Sequence, residues 1–296
     1  MAAYERSRLE ACGGLSTAGL SAKAESIMHH KVHTPSMGQF FLVVHQFAGG
    51  SHAEQWWAQT HTQLKDDKNS LVELMHNKGF HLHAMFPVVN GGPIFCLWEG
   101  TSYKTPSDMQ DYVDKFVPGP GLGEIACVVH PIVTELVASS PWTVGVQSFF
   151  AKEDIKLPDN RLPLCATDSS FYIVQHIFKN PQVASTWWQS VQHMSVADAL
   201  KMEATQHAQG LHPHAFWPTT NPEGIKYCLW ELKQGRTQED LQAALEGSGP
   251  HMAGKEVMVT HVYEVDKGVL DVGKGLSPCW PVEEKGGGEE KGAQQT

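Results

Sequence analysis

The chain has 296 residues, 41% hydrophobic and 18% charged, the make-up of a globular protein with room for two packed units. A formal charge of −10 with no Lys/Arg cluster argues against a nucleic-acid partner, because phosphate contacts need grouped cations. No apolar run reaches the roughly 18 residues of a membrane span, and Cys12, Cys96, Cys127, Cys165, Cys228 and Cys279 lack the Cys-x-x-Cys spacing of a metal or redox motif. Reduced, buried thiols are expected, and the missing apolar signal core points to the cytoplasm, with an organelle address still open.

Residues 1–38 read as an extension. Gln39 to Phe47, rich in Phe, Val and Leu, predicts a buried strand. Ser51 caps a predicted helix carrying Trp56, Trp57 and Leu64, and a second helical stretch from Leu71 stops at Gly79. Two strands follow, Phe80 to Val88 and Ile94 to Glu99, around the turn residues Asn90-Gly91-Gly92-Pro93. A helix over Asp108 to Phe116 and a strand over Ile125 to Val133 close a first unit, 39–138.

After a linker, 139–170, the pattern returns in 171–270 at an offset of 131: His176 matches His45, Trp187-Trp188 match Trp56-Trp57, His207 matches His76, His212-Pro213-His214 match His81-Leu82-His83, and His261 matches His130. One inserted residue near Gly224 then aligns Cys228-Leu229-Trp230-Glu231 with Cys96-Leu97-Trp98-Glu99. Each copy reads β-α-β-β-α-β, a ferredoxin-like unit whose sheet has one face without helices. The predicted fold is α+β, with two tandem ferredoxin-like repeats packed sheet to sheet as one intramolecular α/β barrel. The Glu/Lys/Gly-rich tail, 271–296, cannot bury apolar surface and is expected to be disordered.

From Gln39 to Val265 the chain resembles the dimeric α/β-barrel superfamily in a fused, duplicated form, and Phe95-Cys96-Leu97-Trp98-Glu99 with Tyr227-Cys228-Leu229-Trp230-Glu231 is similar to a strand of its nickel-binding group. That superfamily also holds monooxygenases, haem-dependent enzymes and stress-response proteins, so the resemblance implies a fold more than a chemistry. Barrel closure of this kind brings the second strand of one half beside the fourth of the other. On that geometry His81 and His83 would meet His261, and His212 and His214 would meet His130.

Strand alternation places His81 and His83 on one face with Leu82 on the other, and turns Phe86 and Trp217 away from the histidines, under the helices. Two imidazoles at i and i+2 with a third from a neighbouring strand form the three-His pattern of catalytic metal sites, and Glu99 and Glu231 add carboxylates. A transition metal is expected, Ni, Zn, Fe or Mn. His45 and His176, ending the first strand of each unit, are candidates for a fourth ligand or a proton shuttle. The same repeat-matched histidines also arise when two halves share one packing solution, and His76 and His207 suit helix C-termini. The resulting expectation is a metal-dependent hydratase or lyase acting on a small molecule, with His45, His176, Glu99 and Glu231 relaying protons. Its alternatives are a haem-binding barrel with one axial His and a metal-free stress or assembly protein with a filled interior. A homodimer stays open, and a single active site would be the one at His81 and His83, because Pro213 disturbs the second strand.

Overall fold

The computed structural model describes residues 38–49, 52–56, 68–116, 126–133, 168–219, 224–247 and 256–266. Residues 1–37 of the predicted N-terminal extension, nearly all of the linker, the tail, Trp57, Leu64, His29, His30, His33 and His61 lie outside the described residues. The first half comprises β1 (Gln39–Gln46), α1 (Lys68–Asn77), β2 (Phe80–Pro87), β3 (Ile94–Gly100), α2 (Pro106–Phe116) and β4 (Ala126–Pro131). The second comprises β5 (Ser170–Phe178), α3 (Pro181–Gln192), α4 (Val196–Ala208), β6 (Leu211–Pro218), β7 (Ile225–Leu232), α5 (Gln238–Leu245) and β8 (Met258–Glu264). No helix among the described residues is long and apolar enough to cross a membrane.

Local chemistry sets the element ends. Gly79 and Gly210 follow α1 and α4 with φ of +77° and +80°, the left-handed conformation that glycine adopts without a Cβ penalty. Their carbonyls accept from Thr101 N at 3.0 Å and Lys233 N at 2.9 Å, which ties each helix end to the end of β3 or β7. Asn180 caps α3 through Val183 N, and Thr237 and Asp240 form a capping box on α5.

The strands form two antiparallel four-stranded sheets, ordered β2-β3-β1-β4 and β6-β7-β5-β8. Alternation along β1 sends Phe41 and Val43 under the first half's helices and Phe40, Leu42 and Val44 to the opposite face. That opposite face meets its counterpart from the second sheet in one apolar cluster, in which Phe40, Phe86, Phe95 and Leu97 pack with Phe171, Trp217, Tyr227 and Leu229. At the edges the sheets touch through isolated antiparallel bridges, Val88 to Val265 and Ile132 to Thr219. Asp266 N donates to the Pro87 carbonyl at 2.8 Å and Val133 N to the Pro218 carbonyl at 2.9 Å. Among the described residues the architecture is therefore two four-stranded sheets packed face to face and joined at isolated bridges, the duplicated ferredoxin-like arrangement that the sequence suggested.

Phe86 and Trp217 correct one expectation. Both lie in the cluster between the sheets, their rings 5.7 Å apart, and not under the helices. The cause is a one-residue irregularity in each half: Leu82 pairs with Trp98 but Ala84 with Leu97, and Pro213 with Trp230 but Ala215 with Leu229. His83 and His214 are the extra residues of two β-bulges, and one extra residue resets the alternation beyond it.

Trp217 is 1% exposed and central to the contact between sheets. Trp217→Ala is expected to lower unfolding free energy by about 3–5 kcal/mol in urea titration; a loss below about 1 kcal/mol would contradict a packed interior.

Candidate functional site

His83, the extra residue of the bulge that turns Phe86 inward, keeps the inner face of His81, toward the carboxyl group opposite His81 in the register. His83 Nε2 lies 2.8 Å from Glu99 Oε2, and in the second half His214 Nε2 lies 2.7 Å from Glu231 Oε2. Both glutamates are 0% exposed and His83 is 7% exposed. A carboxyl group this deep costs several kcal/mol unless hydrogen-bonded, and the imidazole supplies the bond. The His83 ring stacks on Phe40 with centroids 5.4 Å apart, and His214 lies against Phe171 at 5.7 Å. Gly38 packs on the Glu99 side chain so closely that an added Cβ would sit 2.7 Å from its Cγ.

A second imidazole joins each pair. The His81 ring meets His83 edge-on at 4.6 Å, and His212 meets His214 at 4.8 Å. In the first half His76 Nε2 continues the row at 2.9 Å from His81 Nδ1, so the last turn of α1 supplies a contact as well as a favourable helix end. The corresponding rings of His207 and His212 are 6.2 Å apart. His81 is half-buried whereas His212 is 2% exposed, so the row Glu99, His83, His81, His76 runs from the interior to solvent, and in its copy the step at His212 is closed off.

The expected third ligands are elsewhere. His261 is exposed on β8, and His130 Nε2 lies 3.2 Å from the Tyr227 hydroxyl. The bridges explain this placement. His83 and His261 both precede the bridged pair Val88 and Val265, and antiparallel strands carry residues before a bridge in opposite directions, leaving these two about 30 Å apart along the strands. His214 and His130 are likewise separated, because both precede the pair Thr219 and Ile132. Among the described residues no group of three His, Cys, Asp or Glu side chains is arranged to hold a metal ion.

His45 and His176 lie on the helix side of their sheets, away from Glu99 and Glu231. His45 Nδ1 is 3.1 Å from Cys127 Sγ, and His176 Nδ1 is 3.0 Å from Thr260 Oγ1. Burial lowers the His45 pKa to about 4, and it lowers that of His176 with the nearby Lys226 adding to the effect. Burial also pushes the Cys127 thiol up to about 11.

The haem implied by the superfamily resemblance needs an imidazole open to a flat cavity. His83 and His214 are held at Nε2 by carboxyl groups, faced by phenyl rings and met at the edge by other imidazoles, while His45 and His176 are bonded to Cys127 and Thr260. As placed, these residues do not fit an axial ligand.

Sequence reading missed a network without repeat symmetry. Tyr263 Oη donates to Gln175 Oε1 at 3.3 Å, Gln175 Nε2 donates to the Tyr227 hydroxyl at 3.1 Å, and Tyr227 reaches His130 of the other half. Burial holds the Tyr227 phenol up at about 12 and lowers the His130 pKa. Repeat-matched positions in the first half are Val44, Phe95 and Ile132, so the signal was a concerted departure from the repeat.

A family model described as Domain of unknown function (DUF8652) matches residues 40–140 and 171–275. No curated protein matches the chain. Among solved structures, a chlorite dismutase mutant from Candidatus Nitrospira defluvii is similar at 13% identity, covering 82% of this chain and 95% of that one, with a TM-score of 0.40. A putative monooxygenase from Lactobacillus acidophilus NCFM is similar at 9% identity, covering 77% of this chain and 93% of that one, with a TM-score of 0.38. Likenesses this loose do not bear on chemistry.

Two outcomes are expected. Glu99→Ala strands the buried His83 and is expected to lower stability by about 2–4 kcal/mol in urea titration, where a neutral result would contradict the pairing. His45, with its folded pKa lowered to about 4, binds its proton more readily in the unfolded chain. Its contribution is thus complete above pH 6.5 and lost between about pH 6.5 and 4, by roughly 3 kcal/mol. Unfolding measured across that range should show a shallower acid loss in His45→Gln, and an unchanged slope would contradict the assignment.

Proposed function

The chain belongs to the family described as Domain of unknown function (DUF8652), and on that premise we propose that it performs general acid–base chemistry on a small molecule, through His83 oriented by Glu99. The observation that carries this reading is the buried His83 to Glu99 contact of 2.8 Å. A carboxylate that accepts from one imidazole nitrogen fixes the tautomer and leaves the other nitrogen as a base. With Nε2–H directed at Glu99, Nδ1 takes the proton. His81, whose ring meets His83 edge-on, and His76 then offer a path from the pair toward solvent, since both are half-buried and their rings are in contact.

Stability is a weak explanation for such a pair, because buried ionisable pairs contribute little more than apolar residues of the same volume. The first half is the active one in this reading and the second its structural copy, because His212 is sealed where His81 is reachable. Proton abstraction next to a carbonyl is the reaction class that one base of this kind serves.

The test is deuterium uptake from D2O into a panel of small ketones, aldehydes and keto acids, followed by NMR. His83→Gln is expected to slow uptake by about 10²–10⁴-fold, and His214→Gln by no more than about twofold. No uptake across the panel, uptake indifferent to His83→Gln, or equal losses in both variants would contradict the reading. Elemental analysis and an absorption spectrum of untagged protein are expected to give neither stoichiometric metal nor a Soret band. One equivalent of metal would favour the hydratase or lyase reading, and a Soret band the haem reading.

A further inference from the structure

Among the described residues the second half carries a buried amine that the first half lacks. Lys226 on β7 is 4% exposed and occupies the repeat position of Ile94 on β3, each pairing with the histidine at the end of the first strand of its half. Its Nζ lies 3.4 Å from the ring centroid of Trp187, 5.7 Å from that of Phe178 and 5.6 Å from that of Phe216. No carboxylate pairs with it among the described residues.

Ring faces attract an ammonium ion but do not replace a counter-ion and hydration shell. Burial accordingly lowers the Lys226 pKa to about 7, which leaves a large neutral fraction near neutral pH. A neutral amine in an apolar pocket is a nucleophile toward carbonyl groups. Beside it stand the imidazole of His176, its partner across the strands, and the Thr260 hydroxyl bonded to that imidazole. The first half has His45 in the matching place but no amine, so the difference between the halves is the amine itself.

We propose that Lys226 is a carbonyl-condensing amine that forms an imine with a small uncharged aldehyde, at a second site on the helix side of the second sheet. The site is separate from His214 and Glu231, which face the other sheet. The amine lone pair attacks the carbonyl carbon, and His176 carries one of the two nitrogen protons to the carbonyl oxygen, giving a carbinolamine. His176 then takes the second nitrogen proton and passes it to the departing hydroxyl group, so that water leaves as the C=N bond forms. Amine plus aldehyde gives imine plus water, with no change of oxidation state. An uncharged aldehyde is specified because the walls are aromatic, and a keto acid would bring a carboxylate with no second cation to meet it.

The test uses the full chain with propionaldehyde and cyanoborohydride at pH 7, followed by peptide mass mapping. Lys226 is expected to be alkylated at least about tenfold faster than the exposed Lys179, Lys201 and Lys233, and to lose that advantage in urea. Lys226→Ile, which installs the residue of the matched position, should abolish the fast phase and leave the circular dichroism spectrum unchanged. Labelling of Lys226 at or below the surface rate in the native protein would overturn the proposal, as would an equal advantage in urea.

Discussion

One hydrogen bond organises each half of this protein: a fully buried glutamate held by an imidazole that stands at the extra residue of a bulged strand. Ordinary alternation from His81 and His212 already turns His83 and His214 inward, but without the bulge Phe86 and Trp217 would turn from the other sheet toward the helices. The irregularity thus directs the aromatic residues that join the sheets, and the polar pair stands at the shift itself. Packing and polar pair meet at one residue, and this couples the site to the core.

The two halves share this device and differ in what surrounds it. In the first, His81 and His76 extend the pair toward solvent; in the second, the matching His212 is closed off. The second half instead gains polar groups where the first is apolar: Lys226 for Ile94, Tyr227 for Phe95, Gln175 for Val44 and Tyr263 for Ile132. Three of these join one hydrogen-bonded network with His130 of the other half, and the fourth is buried among aromatic rings on the opposite face. Each buried polar group carries a desolvation cost, so such concentration in one half marks divergence of the repeats rather than simple duplication.

Much of the fold was legible in the sequence because its signals are local. Gly79 and Gly210 end helices, Asn90 to Pro93 turn a hairpin, and short apolar runs form the strands. The repeat-matched residues include His83, Glu99, His214 and Glu231, whose pairing follows from sheet neighbours within one half. What remained hidden is set by register. A bulge changes side-chain direction without changing composition, although Pro213 inside a strand was a sign of one. The sense of the bridges at Val88 and Ile132 separates His83 from His261 and His214 from His130, and nothing in a single strand's sequence encodes a partner across two sheets. Lys226 and Tyr227 escaped notice because attention to the repeat favours what the halves share over what they do not.

The central claim is that Glu99 fixes His83 as an oriented base. Long-range ¹H–¹⁵N NMR correlations of the imidazole nitrogens at pH 7.5, assigned through His83→Gln, test it most directly. The account predicts a single His83 tautomer with the proton on Nε2 and a bare Nδ1, and loss of that preference in Glu99→Gln. A proton on Nδ1, or a mixture of tautomers like that of the exposed His261, would contradict it.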